Sequence, residues 1–365
     1  MFVRFKVLVC RAINSLFSKK SNSFVYLRRI FFNFTSLFES EVKVIQDYEA
    51  IVFSDPSPTL IDLSHGFSSR NIFEVRNAII DPLTGQVFVK ALTNEFTLIA
   101  ESSSWDPSIS FLRLRNRDST YRRKSLGALS FDTQTFAISP FPSANGYYHW
   151  LIEDLPAYLR VHKNFPKSVF ITGGKLSHRS CEVLRALDSK YILSETYVAS
   201  NIVHFAERGH EKALAHPSDL GLLTELGLKI DQSNNKAKLS TITFLQRGTL
   251  DEKGRSLDIS NSDLFLLDNF VSINPEHLKL VDLIALLTNT VTIIGFHGGG
   301  LANIAWVNNI QNCIEIVFDN FWRGLDAIKW ICTVKGINHF RITIDSSTSK
   351  AELVSEVILI LNAIK

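Results

Sequence analysis

The chain has 365 residues, of which 45% are hydrophobic and 21% are charged, and its formal net charge is +3. This length exceeds one ordinary hydrophobic core and indicates two domains of common size. The composition excludes an intrinsically disordered chain, and the small net charge excludes a molecule built as a whole to bind polyanions such as nucleic acid.

Residues 1–40 form a basic and aromatic N-terminal segment. Before the first acidic residue, Glu39, the chain carries basic residues and no carboxylate. The basic residues are Arg4, Lys6, Arg11, Lys19, Lys20, Arg28 and Arg29. Two interpretations stay open: residues 1–38 contact an anionic membrane surface, or their phenylalanines dock on the core. Nucleic-acid binding is the least favoured use of this segment.

Cysteine spacing and hydropathy give an expectation for the compartment. The four cysteines are scattered without a CxxC pair, which argues against a zinc site and a disulfide framework. The sequence contains neither the run of about 18 apolar residues that a membrane span needs nor a convincing secretory signal. We therefore expect a cytoplasmic protein with reduced thiols, and leave open a peripheral position at the inner membrane face.

Residues 41–235 form the predicted N-terminal domain. Its first part, to about residue 141, consists of short β-branched runs between turns and predicts strands, with a hairpin over 81–89. A helix is expected over 147–162, and shorter strands and helices follow. A polar stretch at 231–236 predicts the linker to a second domain, residues 236–365.

In the second domain strands alternate with helices. Strands are predicted at 241–245, 270–273, 291–295, 313–318 and 339–344, with helices at 261–267, 278–287, 301–307, 327–334 and 351–364. This alternation predicts an α/β fold, a parallel sheet covered by helices on both faces, hence Rossmann-like. Whether the last helix packs back on the first domain stays open.

The segment His297-Gly298-Gly299-Gly300 is the strongest local signal for function. It follows a predicted buried strand and precedes a predicted helix, so it lies at the sheet edge where open α/β sheets bind ligands. Successive glycines let a diphosphate approach the backbone at a helix N-terminus, and His297 adds a hydrogen-bonding group. The alternative is a structural turn that His297 caps.

Two arginines and a glutamate are further candidates in this domain. Arg247 follows the first strand and is suited to grip a diphosphate, and Arg255 lies in the next polar loop. Glu315 lies inside an apolar strand, where a carboxylate needs partners, and is suited to hold ribose hydroxyls. The alternatives are solvated arginines and a glutamate satisfied by a helix N-terminus or a lysine.

A second constellation lies at residues 145–156. If this stretch is an α-helix, His149 and Glu153 share one face and Asp154 lies on a neighbouring one. Histidine beside a carboxylate is a candidate general base or a clamp for an acceptor hydroxyl. The alternative is a helix N-terminus with packing aromatic residues and a capping Asn145.

Four segments in this order resemble glycosyltransferase family 61, which includes bacterial capsular-polysaccharide proteins. They are Tyr147-Tyr-His-Trp-Leu-Ile-Glu-Asp-Leu-Pro156, Phe244-Leu-Gln-Arg247, His297-Gly-Gly-Gly-Leu-Ala-Asn303 and Ile314-Glu315. The resemblance covers roughly residues 75–345. It departs from the family pattern at Gly299 and Ala302, and the loop after Arg247 matches only loosely, which puts Arg255 in doubt.

The resemblance implies an enzyme of GT-B architecture, with two Rossmann-like domains facing a cleft. The implied reaction is an inverting, metal-independent transfer from a nucleoside-diphosphate sugar to a hydroxyl of a glycan or lipid-linked acceptor, with no further cofactor. Arg247, Arg255, the His297–Gly300 turn and Asn303 would hold the donor diphosphate and Glu315 its ribose.

On the acceptor side, in the N-terminal domain, the resemblance implies Glu153 or Asp154 as the base, with His149 as competitor. A catalytically inactive relative that binds glycans or nucleotides in polysaccharide assembly is the alternative. A nicotinamide-dependent oxidoreductase is disfavoured because no GxGxxG follows the first strand of either half.

Overall fold

The computed structural model describes residues 42–46, 72–82, 85–90, 96–98, 129–138, 146–173, 176–194, 198–206, 214–231, 241–246, 262–319 and 326–364. The predictions for residues 1–40, for the linker at 232–236 and for Arg247 and Arg255 lie outside these ranges. The chain divides into two compact units. Unit 1 comprises Met1–Ala144 and Glu153–Glu211, and unit 2 comprises Asn145–Ile152 and Lys212–Lys365.

The described part of unit 1 contains one sheet of eight strands with the order β4-β3-β2-β8-β5-β6-β7, and β1 also pairs with β2. The strands are β1 Val42–Gln46, β2 Ile72–Asp81, β3 Gln86–Lys90, β4 Phe96–Leu98, β5 Leu129–Ile138, β6 Val169–Thr172, β7 Tyr191–Leu193 and β8 Val198–Ala206. Strands β1 to β4 pair antiparallel, whereas β8, β5, β6 and β7 are mutually parallel.

The hairpin predicted over 81–89 is confirmed by β2 and β3. The backbone N–H of Gly85 donates to the carbonyl of Asp81 at 2.8 Å, and the two strands pair from Asp81 with Gln86 onward. So short a connection forces its strands antiparallel, since parallel neighbours need a long crossover. Together with the antiparallel pairs of β2 with β1 and β8, this hairpin makes the sheet of unit 1 mixed, whereas a Rossmann-like sheet is mostly parallel.

Helices at residues 146–186 begin with α1, Gly146–His149, which belongs to unit 2 and continues into a π-helix, Trp150–Asp154. Two helices of unit 1 follow, α2 Leu155–Asn164 and α3 His178–Ala186. Ala157 and Val161 of α2 pack on Ile72 and Ala206 of the sheet. The helix predicted over 147–162 is therefore confirmed in position, but its second turn is π-helical.

Unit 2 contains a five-stranded sheet with the order β10-β9-β11-β12-β13, in which all neighbouring strands are parallel. The strands are β9 Thr241–Leu245, β10 Phe270–Ile273, β11 Thr290–Phe296, β12 Asn312–Phe318 and β13 Asn338–Ile344. The four longer helices are α4 Pro217–Ile230, α5 Leu280–Thr288, α6 Ala327–Lys335 and α7 Lys350–Ala363. The predicted α/β class and the parallel sheet of this domain are confirmed.

The two faces of this sheet carry different contacts. On one face Ile314, Ile316 and Ile342 pack with Leu353 and Val357 of α7, so the last helix packs within unit 2. Strand residues alternate, and Cys313 and Glu315 point to the opposite face, where the Cys313 thiol interacts with Cys332 of α6. Every residue of β12 is buried because helices cover both faces.

Two elements predicted as ordinary helices are short 3₁₀ helices, Asp263–Leu266 and Leu301–Trp306. A third 3₁₀ helix is Pro275–His277. In Leu301–Trp306 the backbone N–H of Asn303 donates to Gly300 at 3.3 Å, and that of Val307 donates to Ile304 at 3.4 Å. These bonds span three residues, which is the 3₁₀ pattern, and such helices stay short.

Candidate functional site

In the sheet of unit 2, the direction in which successive strands are added reverses once, between β9 and β11. The chain passes from β9 to β10 on one side and then crosses to β11 on the other side of β9. This is a doubly wound order, and such sheets bind ligands at the carboxyl ends of the two strands that flank the change of direction. Leu245 ends β9 and Phe296 ends β11, and Leu245 pairs with Gly295 across the ladder.

The predicted turn of residues 297–300 lies at this switch point. The backbone N–H of His297 donates to the carbonyl of Ile316 at 2.7 Å, and that of Leu301 donates to Gly298 at 3.2 Å. Gly298 has a φ of 139°, a conformation that only glycine adopts readily. The turn therefore leads directly from β11 into the 3₁₀ helix Leu301–Trp306.

The segment that contains α1 packs closely on this turn. A Cβ atom added to Gly299 would lie 3.3 Å from the backbone nitrogen of Tyr148 and 3.4 Å from the Cβ of Tyr147. A Cβ atom added to Gly300 would meet nothing within 4 Å. The three glycines are consequently not equivalent: Gly298 provides a backbone angle, Gly299 provides closeness to α1, and Gly300 faces open space.

Asn303 joins the turn to α1. Its side-chain oxygen accepts from the Tyr147 hydroxyl at 2.6 Å and from Trp306 Nε1 at 3.2 Å, and its amide nitrogen donates to Gly300 at 2.8 Å. Asn303 is buried. These contacts brace the turn, and contact of Asn303 with the donor, which the resemblance implies, stays a prediction.

Glu315 is the centre of a cluster of charged and polar side chains below the turn. Its Oε1 accepts from His297 Nδ1 at 2.6 Å, and its Oε2 accepts from His339 Nε2 at 2.9 Å. Arg341 donates to Oε2 through Nε at 3.1 Å and a terminal nitrogen at 3.0 Å, and that nitrogen also donates to Asp326 at 2.8 Å. The carboxylate is thus held from three directions.

The surroundings of Glu315 lower its pKa. Burial alone would raise this pKa, but hydrogen bonds from His297 and His339 and the charges of His297 and Arg341 oppose burial and lower it to about 2. The side chain of Glu315 is 0% exposed, whereas that of His297 is 35% exposed. A buried, ionised carboxylate therefore lies behind a histidine that reaches the surface of unit 2.

His339, Arg341 and Asp326 were not predicted as part of the site. Register explains their positions, since Cys313 pairs with His339 and Glu315 pairs with Arg341 in the parallel ladder of β12 and β13. The sequence carried a signal for two of them: His339 and Arg341 are two residues apart in a strand and must share a face. That this face is also the face of Glu315 depends on a pairing that the sequence does not state.

The predicted alignment of His149 with Glu153 on one helix face stays a prediction. That prediction assumed 3.6 residues per turn, but Trp150–Asp154 is π-helical, and hydrogen bonds in a π-helix join residues five apart. His149 is partly buried and its ring lies edge-on to Tyr148 at 5.6 Å between centroids.

The two candidate carboxylates of that helix are buried. Glu153 is 3% exposed and Asp154 is 1% exposed, and both belong to unit 1, whereas His149 belongs to unit 2. A general base must reach the hydroxyl proton that it removes. Of the three predicted candidates, His149 is the one that is partly buried rather than buried.

Within the ranges that the structure describes, no three or more histidine, cysteine, aspartate or glutamate side chains are grouped so that they could hold a metal ion. Among the same residues no helix combines the length and apolar character needed to cross a membrane.

No protein-family model matches the chain, and no curated protein matches it.

Proposed function

We propose that the chain is a glycosyltransferase similar to family 61. It would transfer a sugar from a nucleoside-diphosphate sugar to a hydroxyl of a glycan or lipid-linked acceptor in capsular or surface polysaccharide synthesis. The resemblance implies inversion at the anomeric carbon, no catalytic metal and a GT-B arrangement. A position at the inner membrane face, with residues 1–38 in contact with anionic lipid, belongs to the same proposal.

One observation carries this proposal. The turn from His297 to Gly300, chosen from the sequence as a diphosphate site, follows β11 at the switch point of a doubly wound parallel sheet. Ligands of such sheets bind there for a geometric reason, because the crossover connections diverge and leave a crevice between the strand ends. The position of the turn in the fold and its glycine-rich composition therefore both favour binding of a diphosphate.

The residues around the switch point suit a sugar nucleotide. His297 reaches the surface of unit 2 and is held by Glu315. Arg247 follows Leu245 by two residues in the sequence and would reach the diphosphate from the neighbouring strand. The transfer itself is a displacement, in which a base removes the acceptor proton while the site stabilises charge on the departing diphosphate. His149 is our preferred base because Glu153 and Asp154 are buried.

The same burial favours a second candidate function. If neither carboxylate reaches an acceptor hydroxyl and His149 does not act, the protein binds a nucleotide or glycan without turnover. The two candidates differ in one measurable property, which is release of nucleoside diphosphate from a sugar nucleotide in the presence of acceptor saccharides. Binding without release supports the non-catalytic relative.

Calorimetric titration of the full chain tests the proposed site. We use uridine diphosphate glucose and guanosine diphosphate mannose as probes and expect at least one to bind. His297→Ala should weaken that binding about tenfold or more, since loss of a hydrogen bond in a recognition site costs about 1–3 kcal/mol.

The matched control is His178→Ala. His178 also pairs with a glutamate, Glu182, at 3.2 Å, but it is exposed and belongs to unit 1. This variant should bind as the unmodified protein does. If the unmodified protein and His297→Ala bind a probe with equal affinity, the proposed site is wrong. If neither sugar nucleotide binds, uridine diphosphate glucose and guanosine diphosphate mannose are not donors of this protein.

A further inference from the structure

Strand β7 forms one edge of the sheet of unit 1, where β6 is its only neighbour among the described strands. Its residues Tyr191-Ile192-Leu193 include neither proline nor a charged residue. An edge strand exposes backbone N–H and C=O groups that can pair with another strand, and many proteins protect such edges with lysine or proline. The edge at β7 carries no such protection within the strand.

The hydrogen bonds between β6 and β7 show which residues of β7 serve the sheet. The carbonyl of Lys190 accepts from the backbone N–H of Phe170 at 2.8 Å, and the backbone N–H of Ser194 donates to the carbonyl of Thr172 at 3.0 Å. Every second residue of a strand bonds to a given neighbour. Lys190, Ile192 and Ser194 therefore face β6 with their backbone groups.

Tyr191 and Leu193 consequently direct their backbone N–H and C=O groups to the open edge. Among the described residues none bonds to these groups. Their side chains share one face of the strand and are 45% and 52% exposed. Ile192 between them packs against the core of unit 1. The open edge thus combines unpaired backbone groups with two exposed apolar side chains.

Contacts on both sides of β7 fix the strand in place. Before it, the hydroxyl of Ser189 is hydrogen-bonded to the hydroxyl of Tyr158, which is buried. After it, Ser194 is buried and bonded to β6. A strand that is already held in its extended form loses little conformational entropy when it binds.

We propose that β7 is an interface between two copies of this chain, in which the two β7 strands pair antiparallel about a two-fold axis at Ile192. In this register Tyr191 lies opposite the partner's Leu193, and Leu193 lies opposite the partner's Tyr191. Each of these pairs exchanges two backbone hydrogen bonds, so all the outward groups of both residues are satisfied. A two-fold interface needs a surface that is complementary to itself, and this strand has one.

Charges beside the strand favour a second copy in the antiparallel direction. Lys190 precedes β7 and Glu195 follows it by one residue. Antiparallel pairing brings the start of one strand beside the end of the other, so opposite charges meet at both ends, whereas parallel pairing would place like charges together. The apolar pairs of Tyr191 with Leu193 add to this complementarity. The interface does not depend on the proposed function.

Sedimentation equilibrium of the full chain tests the interface. We expect a reversible dimer with a Kd on the order of 10 μM, since interfaces below the standard size are transient, and the range of about 1 to 300 μM covers it. Tyr191→Pro removes one outward N–H per copy and leaves the bonds to β6 intact, at a position where an edge strand accepts proline. This variant should dimerise at least about tenfold more weakly.

Two further variants serve as controls. Tyr191→Val keeps the backbone N–H and suits a strand, so it should dimerise more tightly than Tyr191→Pro. Lys190→Glu should weaken the dimer several-fold by placing like charges together, and the double variant Lys190→Glu with Glu195→Lys should restore it.

Three results overturn the proposal. The first is an unmodified protein that stays monomeric up to about 300 μM, which would leave β7 to another occupant or to none. The second is a dimer that is unchanged in folded Tyr191→Pro, since it must then use another surface. If Tyr191→Pro does not fold, the exposed charges decide, and a double variant that fails to recover the loss in Lys190→Glu is the third.

Discussion

The buried carboxylate of Glu315 forms ion pairs with His297, His339 and Arg341 in unit 2. Isolated in the interior, such a group would take up a proton rather than remain charged. Here His297, His339 and Arg341 supply the hydrogen bonds and positive charge that reverse this tendency. Because the partners are fixed by the sheet, the cluster contributes to the stability of the fold as well as to the site.

The lowered pKa of Glu315 makes stability depend on acid pH. A carboxyl whose pKa falls from 4.5 to about 2 on folding stabilises the folded state above pH 4.5 and loses that contribution as pH falls through about 2. The full contribution is about 3 kcal/mol, since each unit of pKa corresponds to about 1.4 kcal/mol. Urea unfolding between pH 5 and pH 2 should therefore show a steeper loss of stability in the unmodified protein than in Glu315→Gln.

Glu356→Gln is the control for this measurement. Glu356 is an exposed glutamate of α7, so its replacement should leave the slope of stability against pH unchanged. If Glu315→Gln and the unmodified protein lose stability in parallel over this range, the cluster does not hold the carboxylate as described.

At the residue scale, the sequence predicted that Glu315 is buried and needs partners, but it did not predict which residues these partners are. A glutamate among Cys313, Ile314, Ile316 and Val317 has to be buried and needs partners. Its partners come from β13 and from the end of β11, 18 to 26 residues away in the chain. Only the register of neighbouring strands brings them together, and a single sequence does not specify that register.

At the scale of elements, the glycines of the turn at 297–300 have different structural roles, although they look alike in the sequence. Gly299 lies against the backbone of Tyr148 and the side chain of Tyr147, whereas Gly300 has open space and an α-helical φ of −58°. Three adjacent glycines therefore offer a substitution and its control within one turn.

Gly299→Ala should destabilise unit 2, and Gly300→Ala should not. The added methyl at 299 has to push α1 away from the turn, and overpacking of this kind costs about 1–3 kcal/mol. At residue 300 the methyl meets no atom, so the change should lie within about 0.5 kcal/mol or stabilise slightly. Chemical unfolding of both variants measures the difference, and equal midpoints would show that α1 does not rest on the turn.

Regular elements were the most predictable part of the fold. Strands β9 to β13 and helices α5, α6 and α7 follow from apolar runs and helical spacing, and the hairpin of β2 and β3 follows from its turn residues. The 3₁₀ helix Leu301–Trp306 and the π-helix Trp150–Asp154 do not follow from the sequence, because helical spacing and composition do not separate these helix types from an α-helix. From composition alone, both segments are predicted as α-helix.

At the scale of the whole molecule, strand order assigns meaning to the motif. A strand–glycine–helix sequence has many structural uses, and the sequence could not exclude them. In the order β10-β9-β11-β12-β13 the winding direction changes between β9 and β11. The turn at 297–300 follows the carboxyl end of β11 and therefore lies at this switch point. The order is a property of long-range pairing and enters only with the structure.

Hydrogen–deuterium exchange of the full chain with and without uridine diphosphate glucose or guanosine diphosphate mannose tests the central claim most directly. A bound sugar nucleotide at the switch point should slow exchange in peptides that cover 292–306, and leave the described part of unit 1 around α3 unchanged. Slowed exchange at 292–306 is the predicted result. Binding that leaves these peptides unprotected and protects others instead would contradict the site on which the proposed function rests.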